Sequence, residues 1–340
     1  MINKPTLNNA LERVIQATSK EACDLLIDAG ADIIDGSLYH YPLTMAVCNG
    51  EKDLAAFLLD RGADVNCQSE TGKPLLTLAV CNATKDLAAF LLDRGADVNY
   101  ESKNGETPLT IAVRHGKIDF AHLLLDRGAD VNYQSGDETA NSSPLRAAIT
   151  NGDEVMISFL YQRGADLNAV QRCNEIKYSG YPTGIHEASA RNRLAIVDLL
   201  INLGVDFNSP QKNYGTPLML SIYSGRFSTA ELLIKRGANI NEVNMPLKHP
   251  ETLFYSAIHI AIYVSSPYLV ALLLRNSVGT VLREAYEFAA QHTVMLSRSV
   301  SYPYPTKLYC ETRNREELSN DARQVQELLK EQKERSGVQD

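Results

Sequence analysis

Seven histidines (40, 115, 122, 186, 249, 259 and 292) and six cysteines (23, 48, 67, 81, 173 and 310) are the side chains best suited to chemistry in this 340-residue chain. Neither set is spaced for it. The cysteines contain no C-x-x-C pair, and together with the histidines they match no zinc-ligand pattern. There is no HExxH helix, no glycine-rich phosphate loop and no G-x-S-x-G elbow. Glu51, Asp53 and Asp60 read as solvated helix charges rather than a catalytic carboxylate pair, while Asp64, Asp97 and Asp130 belong to one recurring loop. One catalytic alternative remains, a Cys–His hydrolase centre of His292 and Cys310, in a C-terminal segment of about 60 residues. The expectation is a protein that is not an enzyme, with no catalytic residues, no metal and no cofactor.

Composition narrows the partner classes. Lys and Arg number 33 against 41 Asp and Glu, a net charge of −8. That balance argues against nucleic acid, whose phosphates call for clustered cations. No run of 18 apolar residues is present, so no membrane span is expected. The opening "MINKPTLNNALERVIQ" has no apolar core typical of a cleaved signal. The cysteine pattern fits a reduced, cytoplasmic chain.

The elements that must position any functional side chain are set by a repeat. "LLDRGADVN" occurs unchanged at 58–66, 91–99 and 124–132, and degenerate copies read "LIDAGADII" (26–34), "LYQRGADLN" (160–168), "LINLGVDFN" (200–208), "LIKRGANIN" (233–241) and "LLRNSVGTV" (273–281). Lys52–Asn66 is identical to Lys85–Asn99, which suggests a tandem duplication. Upstream of these glycines lies a second landmark: "YPLT" at 41, "PLLT" at 74, "TPLT" at 107, "SPLR" at 143, "TGIH" at 183, "TPLM" at 216 and "SAIH" at 256. Such a period signals units that stack on their neighbours.

Within one unit, Glu106 to Asn132, each residue type has a physical role. Thr107 caps a first helix and Pro108 occupies its first turn, where a missing N–H is harmless. Leu109, Ile111, Ala112 and Val113 form its apolar side. Ala112 corresponds to Ala46, Ala79, Ala148, Ala188 and Ala261, with Ser221 in the seventh unit and Val14 in the first. A small residue at that place implies close helix approach. Gly116 breaks the chain, and a second helix from about Ile118 to Arg127 presents Phe120, Ala121, Leu123, Leu124 and Leu125. Gly128 then ends it, with Arg127 complementing the helix dipole. At about ten residues, each helix is too short to stand alone.

A T-P-L-H-like start and an L-L-x-x-G-A-D-V-N end at a 33-residue period resemble the ankyrin repeat, over roughly residues 9 to 280. The resemblance implies an all-α solenoid of about eight helix-turn-helix repeats with β-hairpin fingers. They fall near 9–40, 41–73, 74–106, 107–142, 143–182, 183–215, 216–255 and 256–280, followed by a C-terminal helical cap and charged tail at 281–340. It also implies that His186 and His259, on the fourth position of the start motif, hydrogen-bond the turn. The fingers at 169–182 and 242–255 are longer than the others, and a smaller insertion lies at 135–143.

In this family, partners lie along the finger tips and the exposed ends of the first helices. Transferred by position, the protein-binding set is Glu70, Lys73, Cys81, Asn82, Lys103, Glu106, Arg114, His115, Asn151, Arg191, Tyr223 and Tyr263. Arg114, Arg191, Tyr223 and Tyr263 are the expected anchors, because Arg and Tyr are enriched among interface hot spots. The implied function is a non-catalytic protein–protein interaction scaffold, a cytoplasmic monomer that binds another protein. The alternative is an effector secreted into a host cell, since stand-alone arrays of intracellular bacteria and large viruses look similar. In the tail, 281–296 reads as helical and 299–309 breaks the helix. Asn314 with Glu317 then caps a helix through about Ser336, with the stripe Leu318, Ala322, Val325, Leu328 and Leu329. That helix either packs back on the array or is left frayed, or it serves as a partner helix or secretion signal.

Overall fold

The computed structural model describes residues 4–33, 42–69, 71–135, 143–169, 181–211, 214–242, 256–264, 266–276 and 315–336. Seventeen helices run through them and no strand does. They divide into two compact units, Met1–Asp166 and Leu167–Asp340.

The first unit holds five helix pairs: α1 (Lys4–Gln16) with α2 (Lys20–Asp28), α3 (Pro42–Cys48) with α4 (Lys52–Asp60), α5 (Leu75–Cys81) with α6 (Lys85–Asp93), α7 (Pro108–Arg114) with α8 (Ile118–Asp126), and α9 (Pro144–Asn151) with α10 (Glu154–Gln162). First helices stack in series, α1 on α3, α3 on α5, α5 on α7 and α7 on α9, and each also packs on its own second helix. The second unit repeats the plan with α11 (Gly184–Ala190) and α12 (Leu194–Asn202), α13 (Pro217–Tyr223) and α14 (Phe227–Lys235), and α15 (Ala257–Tyr263) and α16 (Pro267–Asn276). There α11 packs on α13, α13 on α15, and α12 on α14.

The first helices of repeats two to eight are seven or eight residues long and the second helices nine or ten, shorter than the repeat pattern suggests. Isolated helices of that length do not persist in water, so neighbouring repeats must hold them. Ala46, Ala79, Ala112, Ala148, Ala188 and Ala261 are fully buried where first helices meet. Ser221 takes that place in the seventh repeat and satisfies its hydroxyl by donating to the Leu218 carbonyl at 2.7 Å. Leu58, Leu91, Leu124, Leu160, Leu200 and Leu233 are fully buried on the second helices, each contributing about 1.5–3 kcal/mol by leaving water. On α8, Phe120, Ala121 and Leu124 are buried while Leu123 and Leu125 are half-buried, so the core stripe is narrower than the run of leucines.

Hydroxyl caps start several first helices. Thr107 accepts from the Thr110 N–H, Ser143 from Arg146 and Thr216 from Met219, each at 3.3 Å. The finger turns 67–73 and 100–106 close on serines, with Ser69 N–H donating to the Lys73 carbonyl and Ser102 N–H to the Glu106 carbonyl, both at 2.9 Å. Among the described residues these fingers are tight turns rather than extended hairpins, and isolated antiparallel bridges such as Gln68–Pro74 and Gln211–Gly215 replace strands. Most of both long fingers, and the insertion after Ser135, lie outside those residues.

The recurring D-R-G-A-D-V-N string proves to be a linker between repeats. Arg94 pairs with Asp60 at 2.7 Å, and Arg127 with Asp93 and Arg163 with Asp126 at 2.8 Å; Arg61 reaches Asp24 and Asp28. These arginines thus bind the preceding repeat, beyond any favourable effect on their own helix dipole. A second chain of bonds runs through the loop. Asn66 accepts from the Asp97 N–H, Asn99 from Asp130 and Asn132 from Asp166, all at 2.8 Å. Each aspartate in turn holds the next asparagine: Asp97 accepts from the Asn99 N–H and Asp130 from the Asn132 N–H at 2.9 Å. The second unit continues the pattern, Asn208 accepting from the Asn239 N–H at 2.8 Å.

At the C-terminal end, α17 (Arg315–Ser336) packs on α16 and buries Val325 and Leu329. The side chains of Leu318 and Ala322 and the segments 281–296 and 299–309 lie outside the described residues.

Candidate functional site

The exposed ends of the first helices, with the turns after them, carry most of the sequence-predicted binding residues. In the first unit the structure joins Glu106, Arg114, His115 and Asn151. Arg114, the last residue of α7, forms an ion pair with Glu106 of the preceding finger turn. The Asn151 amide donates to the Arg114 carbonyl at 2.7 Å, and His115 is exposed beside them. Asn82, exposed at the end of α5, donates to the Cys48 carbonyl at 3.0 Å. Cys81 is half-buried, and its carbonyl accepts from Lys117 Nζ at 2.8 Å. Both asparagines and Lys117 thus satisfy carbonyls left open at the ends of the preceding first helices. Lys73 is half-buried in its finger turn. Lys103 is exposed with its stem against Gly72, where an added Cβ would lie 2.5 Å from Lys103 Cδ. Glu70 lies outside the described residues.

In the second unit Arg191 Nε donates to Glu187 Oε1 at 3.0 Å. Tyr223 and Tyr263 end successive first helices, half-buried; burial, then the nearby Tyr263, pushes the Tyr223 phenol well above its ordinary range, so it remains a protonated donor.

Three participants escaped the sequence reading: Lys117, Glu187 and Arg226. Glu187 stands where other repeats have Met45, Leu78, Ile111, Ala147, Leu220 and Ile260, so a column-by-column alignment of the repeats exposes it. Its side chain is only 1% exposed, an unusual setting for a carboxylate outside an ion pair. Arg226 Nε donates to the Ala190 carbonyl at 2.9 Å, doing for α11 what Lys117 does for α5.

The histidines of the start motif act structurally. His186 Nε2 lies 3.0 Å from the Gly215 carbonyl, an acceptor only, so Nε2 carries the proton and Nδ1 accepts from the Thr183 hydroxyl at 2.7 Å. Burial pushes this imidazole down to about 4, which keeps it neutral. His259 Nδ1 accepts from the Ser256 N–H at 3.3 Å, closing a capping box. Three thiols are poor nucleophiles: burial raises Cys23 and Cys48, and it lifts Cys67 to about 11. His292 and Cys310 lie outside the described residues. Among those described, no group of three or more His, Cys, Asp or Glu side chains could hold a metal ion, and no helix is long and apolar enough to cross a membrane.

The family model for ankyrin repeats (three copies) matches residues 11–102, 43–135, 76–171, 145–244 and 185–283, most of the chain. The chain belongs to the ankyrin-repeat family. Such repeats are generally protein-interaction modules, and their fold is typically non-catalytic. The ankyrin repeats here are 31% identical over 111 residues to alpha-latrotoxin-Lg1a of Latrodectus geometricus, covering 32% of this chain and 8% of the toxin. They are 25% identical over 130 residues to human transient receptor potential cation channel subfamily A member 1, covering 29% of this chain and 12% of the channel. The chain therefore spans about a tenth of the length of these curated relatives. Among solved structures, the human ASB11 ankyrin repeat domain is similar with a TM-score of 0.51 and 23% identity, over 71% of this chain and all of that one. That likeness concerns the fold.

Proposed function

We propose that this ankyrin array is a non-catalytic scaffold that binds a partner protein along the exposed ends of its first helices and its finger turns. One observation carries the reading. Framework positions repeat from unit to unit, including the buried alanine, the Arg–Asp pairs and the Asp–Asn links, whereas the exposed helix ends do not. Those ends change from Cys48–Asn49 and Cys81–Asn82 to Arg114–His115, Thr150–Asn151, Arg191, Tyr223–Ser224 and Tyr263. A surface that varies on a constant frame suits recognition of one irregular partner, and Arg114, Arg191, Tyr223 and Tyr263 supply its anchors.

The same reading makes the protein a cytoplasmic monomer with no nucleic-acid partner, supported by its net charge of −8 and by the free thiols of Cys23, Cys48, Cys67 and Cys81. Repeats near 9–40 through 256–280 form the binding part, and 281–340 the capping extension. A photo-crosslinking residue at position 114 or 223, compared with one at Asp119 on a second helix, tests the surface. In lysate, the first two sites should trap one shared protein that Asp119 does not. Trapping only from Asp119, or undiminished capture by an Arg114→Ala/Tyr223→Ala double variant of intact fold, would refute it.

A further inference from the structure

The carbonyls that end α3, α5 and α7 are taken up by Asn82, Lys117 and Asn151, side chains that direct their donors back into the array. At the end of α11 the same task falls to Arg226, and only its Nε performs it. A guanidinium has five N–H groups in a planar fork suited to carboxylates. The side chain is exposed, and among the described residues its two terminal nitrogens make no hydrogen bond or ion pair. The arginines of the second helices differ: Arg61, Arg94, Arg127, Arg163 and Arg236 all face acids of the preceding repeat.

Charge along the neighbouring first helices is one-sided in the sequence. The first helices of repeats six to eight and the turns after them, 184–193, 217–226 and 257–266, contain three arginines (191, 193 and 226) and one acid, Glu187. That acid is buried and held by Arg191, so no exposed carboxylate in these segments answers Arg226. Tyr223 ends α13 three residues before Arg226, and Tyr263 ends α15 in the next repeat, so two phenols lie on the same run of helix ends.

We propose that the ends of α11 and α13 form a receptor for an acidic segment of the partner protein, with an Asp or Glu carboxylate held by Arg226, supported by Arg191 and flanked by Tyr223 and Tyr263. The proposal rests on the binding surface assigned above and names the chemistry it selects. Charge-assisted, bidentate Arg–carboxylate contacts combine strength with geometric selectivity. Glu187 acts as a built-in competitor, because it draws Arg191 toward the array.

Panning a random linear-peptide library on the full-length protein, then mapping selected peptides by crosslinking, tests this. Peptides that map to the ends of α11 and α13 should be enriched in Asp and Glu. Their affinity should fall at least about tenfold in Arg226→Gln. It should also fall in Arg226→Lys, which retains a cap of the kind Lys117 provides and so controls for folding. Glu187→Gln should tighten binding by releasing Arg191. Peptides that map to these helix ends without acidic enrichment, or acidic peptides indifferent to Arg226, would overturn the proposal and leave the binding surface standing. Peptides that map only to the second helices, or no enrichment over bare support, would overturn both.

Discussion

Lowering the pH should weaken the second unit through His186. The imidazole is buried among Thr183, the Gly215 carbonyl and the repeat core, and its pKa falls from an ordinary 6.5 to about 4. A histidine with a depressed folded-state pKa takes up its proton in the unfolded chain first. Nothing is lost above pH 6.5. Between 6.5 and 4 the unfolded state carries one more proton than the native state, and stability falls by about 1.4 kcal/mol per pH unit. Below 4 both states are protonated and the loss levels off at about 3 kcal/mol. The carboxylates titrate over part of this range, so the informative quantity is a difference from His186→Thr. Thr44, Thr77 and Thr110 occupy the same place in repeats two to four, which shows that threonine fits there. Urea unfolding followed by helical circular dichroism at several pH values should show the wild type losing about 3 kcal/mol relative to this variant. A difference that stays flat between pH 7 and 4, or an NMR titration placing His186 near 6.5, would refute the reasoning.

Three further outcomes follow from the packing. Leu91 is fully buried, so Leu91→Ala should cost about 2–5 kcal/mol; a thermal midpoint equal to wild type would remove Leu91 from the core. Asn99 accepts from the Asp130 N–H at 2.8 Å and donates to the Gly128 carbonyl at 3.3 Å, so Asn99→Ala should lower the urea midpoint by the equivalent of about 1–2 kcal/mol. An unshifted midpoint would mean that water replaces both bonds without loss. Ala83 has φ 60°, in the left-handed turn where Gly50 stands one repeat earlier at 77°. Relief of about 1–2 kcal/mol of strain, less the entropy of a freer glycine, should leave Ala83→Gly about 0.5–1 kcal/mol more stable, read as a raised thermal midpoint.

Much of the fold was legible because each repeat states its local rules in order. Thr107 and Pro108 start a helix, Ala112 admits a neighbour, Gly128 ends the unit, and a fixed period requires stacking. The structural roles of His186 and His259 were implied by the resemblance of the start motif to the ankyrin repeat. Candidate binding positions could also be counted off, since register places Arg114, Arg191, Tyr223 and Tyr263 at equivalent helix ends.

Tertiary structure decided how the polar side chains are shared out. In sequence Asp60 and Arg94 are two charges on two helices; stacking sets them 2.7 Å apart and makes them one link. Asn82 and Asn151 read as partner contacts, yet their amides satisfy carbonyls of the preceding helix. Glu187, unremarked in the sequence, is buried against Arg191, while exposed Arg226 uses only its Nε, on the Ala190 carbonyl. The physical reason is range. Helix signals act within a few residues, whereas these bonds join atoms 31 to 38 residues apart, and only the stacked array brings them within reach. Residue types and their period determined the unit and its surface positions; the stacking of one unit on the next determined which of those side chains are left to meet a partner.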